Sequence, residues 1–279
     1  MTTTLRPTGP LQRTADGTLS RSYEVRVNSR PVGTIDLGTD PGFGPTAGML
    51  HALWIDGPDR RRGRATVAAL AAEEVLRGWG CTQVLASVPA GSGPALRMLE
   101  SLGYTERSRN MDKELPPEPP ALPGGVQGRS MNETEFQEWL AASCDGYARS
   151  WIDRGVPPEQ ARAKSEASHR ADLPDGLATP GVSMNVLVHE GRVVGHVWLA
   201  GREVRPGERG AYVYDVAVAD GRRGKGYGRA LMLLAERIAL ESGHTLLGLH
   251  VFADNTPAVR LYESLGFATT HHHFYKRLV

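Results

Sequence analysis

The sequence contains one pattern twice, and this internal repeat restricts the possible folds more than any other feature. Moving the chain by 163 residues places Arg60–Leu115 on Arg223–Leu278 without a gap. The clearest match is PALRMLESLGY, which starts at Pro94, against PAVRLYESLGF, which starts at Pro257. Solenoid repeats have periods of roughly 20–50 residues, so this shift is too long for one of them. The sequence therefore predicts two copies of a single domain.

A proline-rich segment separates the two copies. ELPPEPPALPGG, at Glu114–Gly125, holds five prolines and two glycines. Proline lacks a backbone donor and disfavours helix in the residue before it, so this composition is typical of a semi-stiff linker. We predict a first domain over residues 1–115, a linker over 116–124 and a second domain over 125–279.

Strand and helix patterns alternate within the second copy. MNVLVHEGRVVGHVWLA predicts two strands around a turn at Glu190-Gly191, and GAYVYDVAVA predicts a third. A long helix (GRALMLLAERIALES), a strand (TLLGLHVF) and a short helix (NTPAVRLYESLG) with Thr256 as its N-cap come next, and FATTHHHFYKRLV predicts a closing hairpin. Two further helices precede the strands, the first of them capped by Asn132. Each copy is thus predicted to be an α/β (α+β) domain, a mixed, mostly antiparallel twisted sheet flanked by helices.

The bulk composition excludes several classes of protein. The formal net charge is only +1, which leaves no basic surplus for a nucleic-acid partner. No apolar run approaches the roughly 18 residues that cross a bilayer, and the first residues lack the apolar core of a signal peptide. Cys81 and Cys144 are the only cysteines and lack metal-like spacing, which favours two reduced thiols. We expect a cytoplasmic protein with no membrane partner.

A glycine-rich loop precedes the long helix of the second copy. GRRGKGYGRA, at 221–230, combines four glycines and four cations. Backbone N–H groups that lead into a helix N-terminus bind anions, and glycine allows a phosphate to approach closely. A Walker A loop would need Ser or Thr after Lys225, where Gly226 stands. A dinucleotide fingerprint would follow the first strand of a βαβ unit, whereas this loop follows a later one.

With ADNTPAVRLYESLGF downstream, the segment YDVAVADGRRGKGYGRAL resembles the Gcn5-related N-acetyltransferases (GNAT). Six residues of the second motif fall at the family's spacing, namely Asn255, Ala258, Leu261, Tyr262, Gly266 and Phe267. The resemblance covers the C-terminal copy and implies tandem GNAT folds, acetyl-CoA as cosubstrate and acetyl transfer to an amine by direct attack.

The resemblance also implies roles for individual residues. The loop would hold the CoA pyrophosphate, the strand backbone before it would bind the pantetheine arm, and the second motif would contact the cofactor near the thioester. The implied cofactor-binding residues are Val216, Ala217, Val218, Arg223, Gly224, Lys225, Gly226, Tyr227, Gly228, Arg229, Asn255, Ala258 and Tyr262. Tyr262 matches the family's tyrosine that protonates the departing thiolate, although a packing tyrosine would satisfy the same helical pattern.

The general base has two candidates. The acceptor amine must lose a proton, directly or through water. His250 lies five residues before Asn255, where several relatives carry glutamate, and histidine titrates near neutral pH. Asp215, in YVYDVAV, is the competitor. His271–His273 could bind a metal, but an exposed hairpin is the simpler interpretation, and we expect no metal cofactor.

The first copy keeps the loop outline but lacks the proposed catalytic side chains. Under the 163-residue shift, Tyr262, His250, Asn255 and Asp215 correspond to leucine, serine, serine and alanine, at Leu99, Ser87, Ser92 and Ala52. The two helices that would form the acceptor wall are also missing. We predict a degenerate, non-catalytic first domain that either supports the second or binds CoA weakly.

The sequence thus predicts an acetyl-CoA-dependent N-acetyltransferase whose acceptor, a small-molecule or peptide amine, is unidentified. One alternative is a CoA-binding regulatory or scaffolding protein without catalysis. Another is an enzyme similar to the mycothiol synthases, since a tandem plan with the intact copy second resembles theirs. The expected assembly is a monomer or a homodimer.

Overall fold

The structure is a computed structural model and describes residues 3–40, 42, 46–153 and 157–278. Its strands are β1 (Thr3–Pro7), β2 (Gln12–Arg13), β3 (Leu19–Val27), β4 (Arg30–Thr39), β5 (Ala47–Ile55), β6 (Gln83–Pro89), β7 (Thr105–Glu114), β8 (Val126–Ser130), β9 (Val182–His189), β10 (Arg192–Arg205), β11 (Glu208–Val218), β12 (Leu246–Phe252) and β13 (Ala268–Arg277). Its α-helices are α1 (Arg64–Gly78), α2 (Gly93–Ser101), α3 (Glu133–Ile152), α4 (Pro158–Asp172), α5 (Tyr227–Glu241) and α6 (Thr256–Ser264).

Two compact units divide the chain, and neither is a single continuous segment. Unit 1 consists of Met1–Arg109, Phe252–Asp254 and Thr270–Val279, and unit 2 consists of Asn110–Val251 and Asn255–Thr269. The end of β7 therefore belongs to unit 2 and most of β13 belongs to unit 1. Each sequence copy contributes a strand to the unit that the other copy builds.

Unit 1 is a mixed sheet in the order β1-β3-β4-β5-β6-β13, with β2 paired to β3. The β5–β6 pair is parallel, whereas the other pairs of this sheet are antiparallel. β13 is the last strand, with Phe274 opposite Ala86. The buried core includes Val25, Ile35 and Leu76 and also takes in Phe274 of β13.

Unit 2 has the corresponding order β7-β12-β11-β10-β9-β8. β8, β9, β10 and β11 pair antiparallel in turn, and β11 pairs with β12 in parallel. The predicted turn between β9 and β10 is present, with positive φ at both Glu190 (49°) and Gly191 (72°), as a type I′ hairpin requires. The main core packs α5 against the sheet through Leu187, Val213 and Leu231.

The helices α3 and α4 lie in unit 2 and contact each other. A separate apolar cluster packs α3 against β9 and β10 and includes Leu173, which follows α4. Asn132 begins α3 with a capping box, in which its side chain accepts from the Glu135 N–H and the Glu135 side chain accepts from the Asn132 N–H. Both the two helices and the Asn132 cap were predicted from the sequence and are confirmed. In unit 1 the chain between β1 and β3 carries only the short strand β2.

Three local expectations need correction or comment. The α/β class with mostly antiparallel mixed sheets is confirmed, but the predicted C-terminal hairpin is wrong, because β13 is one continuous strand. The N-cap of α6 is Asn255 and not Thr256. Both ends of the proline-rich segment, Glu114 and Gly125, lie in unit 2, and Leu122 packs onto the core of that unit.

Candidate active site in unit 2

The parallel pairing of β11 with β12 ends early and leaves part of β11 beside the site. The paired residues are Ala211–Leu247, Tyr212–Gly248 and Val213–Leu249, while β11 continues to Val218. Beyond Val213 the residues Val216, Ala217 and Val218 are half-buried and pair on their other side with β10. Among the described residues, β12 is not paired with them on the other side, so an extended amide-containing ligand can add hydrogen bonds to the sheet at this free edge.

The glycine loop leads into the N-terminus of α5 with the geometry of an anion cradle. Gly221, Gly224 and Gly226 have φ of 73°, 77° and 82°, a region that favours glycine. Gly226 is the N-cap of α5, and no side chain caps this end. The first-turn N–H groups have no intrahelical acceptor, and the helix dipole adds positive potential there. This end of α5 can therefore bind a phosphate group.

The side chains of the loop fall into two groups. Arg223 and Lys225 are exposed, and Arg223 makes a surface contact of 3.4 Å to Asp220. The Tyr227 side chain is buried, and its hydroxyl lies 2.8 Å from His189 Nδ1. Arg229 donates to Ser264 Oγ on α6 at 2.6 Å. The first pair is available to an anion, whereas Tyr227 and Arg229 anchor the loop to the fold.

Asn255 and Tyr262 occupy the two ends of the same short helix. The Asn255 side chain accepts from the Ala258 N–H at 3.3 Å and so caps α6. Tyr262 is buried, with its ring 5.9 Å from that of Phe267. Burial, followed by the negative charge of Asp215, raises the pKa of Tyr262 to about 12. The phenol is therefore protonated at neutral pH and can donate a hydrogen bond.

Asp215 has two partners that come from different elements. Its Oδ2 atom lies 2.9 Å from His196 Nε2 on β10 and 2.9 Å from Trp139 Nε1 on α3. Burial raises the pKa of this carboxyl, but the hydrogen bonds from His196 and Trp139 and the charge of His196 outweigh that effect, so the pKa of Asp215 is lowered. Asp215 is therefore ionised, partly exposed and fixed in orientation.

Aromatic side chains surround this carboxylate. The Trp139 ring lies edge-on to Trp198 at 5.3 Å and to His196 at 6.5 Å, and Trp198 stacks on Tyr214 at 4.7 Å. Trp139 of α3 therefore packs on the sheet beside Asp215. This arrangement gives the site an apolar wall next to one ionised group.

The sequence interpretation did not include His196 or Trp198. Both lie on β10, two positions apart and so on the same face of the strand, with Trp198 opposite Asp215 in the register. The pairing of β10 with β11 places both residues near Asp215, and the bulge between Trp198 and Leu199 determines which residue is opposite. That irregularity cannot be read from residue types.

The second candidate base, His250, lies on β12 one residue beyond Leu249, with its side chain exposed. Asp215 is hydrogen-bonded to His196 and Trp139. The structure therefore brings Tyr262 and Asp215 within electrostatic reach of each other, and it adds His196 to this pair.

Unit 1 repeats the backbone of the site with different chemistry. The β5–β6 pairing also stops partway, at Leu50–Ala86. Arg61 has φ of 57° and Gly63 has φ of 72°, at the positions that correspond to Gly224 and Gly226. Arg60, however, donates to the Ile55 carbonyl at 2.6 Å and stacks over the Trp54 ring at 4.2 Å. A cation of this loop is thus bound within the fold of unit 1.

The proposed catalytic positions of unit 1 are occupied by inert side chains. Leu99 is buried in the core, and Ser92 begins α2 without a side-chain capping bond. In the β4–β5 register Ala52 faces Asp36, where unit 2 pairs Asp215 with Trp198. The residues that replace Tyr262, Asn255 and Asp215 in unit 1 therefore all lack the functional side chain, as the repeat predicted.

Comparison with protein families decides the assignment of the fold. The model of the acetyltransferase (GNAT) family matches residues 4–104 and again residues 144–267. The chain belongs to the GNAT acetyltransferase family. Because the family is matched twice, the tandem organisation predicted from the 163-residue repeat is confirmed.

Individual relatives agree with this assignment. The chain is 32% identical over 142 residues to the uncharacterized N-acetyltransferase YycN of Bacillus subtilis, which covers 50% of this chain and 90% of YycN. It is 32% identical over 246 residues to a mycothiol acetyltransferase of Streptomyces griseus, covering 83% of this chain and 71% of that one. A GCN5-related N-acetyltransferase structure from Sphaerobacter thermophilus superposes with a TM-score of 0.57 over 92% of this chain and 80% of that one, and its 20% identity supports the fold alone.

None of the helices in the described ranges is long and apolar enough to span a membrane. Across the same part of the chain, histidine, cysteine and carboxylate side chains do not gather in groups of three that could hold a metal ion. Cys81 and Cys144 are both free.

Proposed function

We propose that unit 2 transfers the acetyl group of acetyl-CoA to an amine. The observation that carries the proposal is the convergence of three features: an uncapped α5 N-terminus behind a glycine loop, a free edge on β11, and the Asp215–Tyr262 pair close to that edge. One ligand that carries a phosphate, an extended amide chain and a reacting thioester, in that order, would need these three features in the same order.

The cradle is assigned to the pyrophosphate. The backbone N–H groups at the start of α5 would donate hydrogen bonds to the phosphate oxygens, and Arg223 and Lys225 would contribute positive charge. The side chains of Tyr227 and Arg229 are bound within the fold, so we propose that these two residues contact the cofactor through their backbone. Val216, Ala217 and Val218 would bind the pantetheine amides, with Asn255 and Ala258 shaping the start of α6 beside it.

Tyr262 is assigned to the leaving thiolate. Its pKa of about 12 lies above the roughly 8.5 of an ordinary thiol. A hydrogen bond from the phenol to the developing thiolate is therefore the main stabilising interaction, and full proton transfer depends on how the bound ligand changes the site. Removal of such a donor typically reduces catalysis by about 10²–10³-fold.

We assign proton removal from the acceptor amine to the part of the site around Asp215. Asp215 and His250 are the two candidates from the sequence, and Asp215 is the one held by the α3 wall through Trp139. Unit 1 lacks all of these groups, so we assign it a non-catalytic role that supports unit 2. The acceptor class is a small-molecule or peptide amine, and the proposed setting is the cytoplasm with no metal, membrane or nucleic-acid partner.

A more specific acceptor is suggested by one set of relatives. The match to mycothiol acetyltransferase of Streptomyces griseus extends over 83% of this chain and so includes both copies. The amine precursor of mycothiol is therefore a second, narrower candidate. A non-catalytic CoA-binding protein is the competing alternative, and the protonated Tyr262 next to an ionised Asp215 favours the enzyme.

The test is release of CoA thiol from acetyl-CoA with four amines: glucosamine, spermidine, dialanine and the amine precursor of mycothiol. We expect turnover with at least one of them and an acetylated product by mass spectrometry. Tyr262→Phe should reduce kcat by about 10²–10³-fold, while Tyr23→Phe, a buried tyrosine of unit 1, should match wild type. Acetyl-CoA binding without turnover in any arm would instead identify a binding protein.

A further inference from the structure

His196 and Asp215 form a hydrogen-bonded pair that the sequence interpretation did not contain. The pair joins β10 to β11 through His196 Nε2 and Asp215 Oδ2 at 2.9 Å. Trp139 on α3 donates to the same oxygen at 2.9 Å. Three elements therefore converge on one carboxylate oxygen, and the imidazole remains partly exposed, with 26% of its side chain accessible.

This geometry determines the protonation pattern of the imidazole. Asp215 is ionised, because its net pKa is lowered, and an ionised carboxylate only accepts hydrogen bonds. The hydrogen between Asp215 and His196 must then be on Nε2. In the neutral ring the lone pair is on Nδ1, so the nitrogen that can accept a proton is the one directed away from the carboxylate.

Asp215 itself is poorly suited to remove a proton from an amine. Two donors already bind its Oδ2 atom, and the interactions that lower its pKa also lower its basicity. A carboxylate that fixes the tautomer of a neighbouring histidine and stabilises the imidazolium is the arrangement used in Ser-His-Asp catalysis. The Trp139 donor adds orientation, because it fixes the carboxylate from the opposite element.

We propose that His196 is the general base of the acetyl transfer, acting through Nδ1, with Asp215 and Trp139 as positioning residues. The inference rests on the proposed function and assigns a further residue to it. His196 takes one proton from the acceptor ammonium. The amine nitrogen then bonds to the thioester carbonyl carbon, the C–S bond breaks, and the thiolate takes the second amine proton with Tyr262 as hydrogen-bond donor. His196 returns its proton to solvent.

The surroundings of His196 support this role. Asp215 is the ionised group that contacts the ring from β11, and the cross-strand neighbours are Val186 on β9 and Ala217 on β11. Trp139 contributes its ring edge from α3, and Tyr262 on α6 lies within electrostatic reach of the same carboxylate. In the register of unit 1, Thr34 faces Trp54 as His196 faces Ala217, so unit 1 has neither member of the pair.

The first test is independent of turnover. Long-range ¹H–¹⁵N NMR correlations of the wild-type protein at pH 8, assigned by comparison with His196→Gln, should show the His196 ring with its proton on Nε2. Asp215→Asn should disturb this pattern, because an amide can donate to the ring and so favours the other tautomer. An Nδ1-protonated ring in wild type would overturn the proposal whatever the activity.

The second test uses acetyl-CoA with the same four amines over pH 5.5 to 9. His196→Gln should lower kcat/KM by about 10²–10⁴-fold and remove the rise of activity with pH that a histidine base produces. Trp139→Phe should retain most of the rate and shift that rise. His51→Gln, a histidine of unit 1 on β5, is the matched control and should behave as wild type.

The outcomes separate the two proposals. If wild type turns over and His196→Gln retains its rate and pH profile while His250→Gln loses them, the base is His250 and this inference is wrong. If wild type fails with every amine yet binds acetyl-CoA, the proposed function itself fails and the base role fails with it. An unchanged circular dichroism spectrum for each variant confirms that rate losses are chemical.

Discussion

Lys276 on β13 donates to both carboxylate oxygens of Glu73 on α1, at 2.9 and 2.8 Å, although 203 positions separate them in the chain. The 163-residue shift carries this pair to Lys113 on β7 and Glu236 on α5, which also interact, at 2.7 Å. Each lysine thus neutralises the glutamate of the other sequence copy. Both glutamate side chains are almost fully buried, at 4% and 2% exposure.

Removing one member of such a pair leaves a buried charge without its partner. Lys113→Met should therefore destabilise unit 2 by about 3–5 kcal/mol, measured by urea unfolding. Arg237→Met is the control, because Arg237 makes an exposed contact of 4.0 Å to Glu241 and such pairs contribute about 0–1 kcal/mol. Replacing both Lys113 and Glu236 with apolar residues should recover much of the loss. Equal effects of both single variants would contradict the argument.

The exchanged strands predict an unusual result of truncation. Deleting residues 270–279 removes the partner of β6 and the Lys276 charge, so unit 1 should lose stability although the deleted residues belong to the second sequence copy. Hydrogen exchange should show loss of protection in β3–β6, with α5 and β10 much less affected. Adding a synthetic peptide of residues 268–279 should restore protection. Loss confined to unit 2 would show that the copies fold as separate sequence halves.

The sequence predicted the repeat, the family, the cradle and the helices α3 and α4, because each depends on local periodicity or on glycines at fixed spacing. The sequence did not predict that β7 and β13 are exchanged between the units, because the alternation of polar and apolar residues along a strand is the same in either sheet. His196 was missed for a related reason. A lone histidine in an apolar strand is typical of packing, and its partner depends on the bulge next to Trp198.

The N-termini of α6 and α2 are at equivalent positions of the two copies and provide a matched test of Asn255. Asn255→Ala removes the bond to the Ala258 N–H and should cost about 1 kcal/mol. Ser92 begins the equivalent helix without a side-chain cap, so Ser92→Ala should change stability by less than about 0.5 kcal/mol. Thermal unfolding measures both. An acetyl-CoA affinity loss in Asn255→Ser, which retains a capping oxygen, would show that Asn255 also contacts the cofactor.

Tyr262 predicts a stability loss at high pH. Its pKa is raised from 10.0 to about 12, first by burial and then by the charge of Asp215. The stabilisation is complete below pH 10, where the phenol is protonated in both states, and it is lost as the pH rises from 10 through 12. Linkage puts the total at about 3 kcal/mol. The difference in unfolding free energy between wild type and Tyr262→Phe should therefore change across this window and stay constant from pH 7 to 9.

The two loops also differ in backbone strain at equivalent positions. Arg61 has φ of 57°, in the left-handed region where Gly224 has φ of 77°. This conformation costs a residue with a Cβ roughly 1–2 kcal/mol, whereas the flexible unfolded state of glycine offsets about 0.5–1 kcal/mol. Arg61→Gly should therefore stabilise unit 1 by up to about 1 kcal/mol, and Gly224→Ala should destabilise unit 2 by a similar amount.

Urea unfolding of both variants, followed by binding of acetyl-CoA, separates strain from function. Gly224→Ala should weaken acetyl-CoA binding as well as stability, because the cradle backbone must adopt this conformation to present its N–H groups. Arg61→Gly should leave acetyl-CoA turnover by unit 2 unchanged. If Arg61→Gly instead destabilises unit 1, contacts of the Arg61 side chain outweigh its backbone strain, and the retained loop shape in unit 1 has a packing origin.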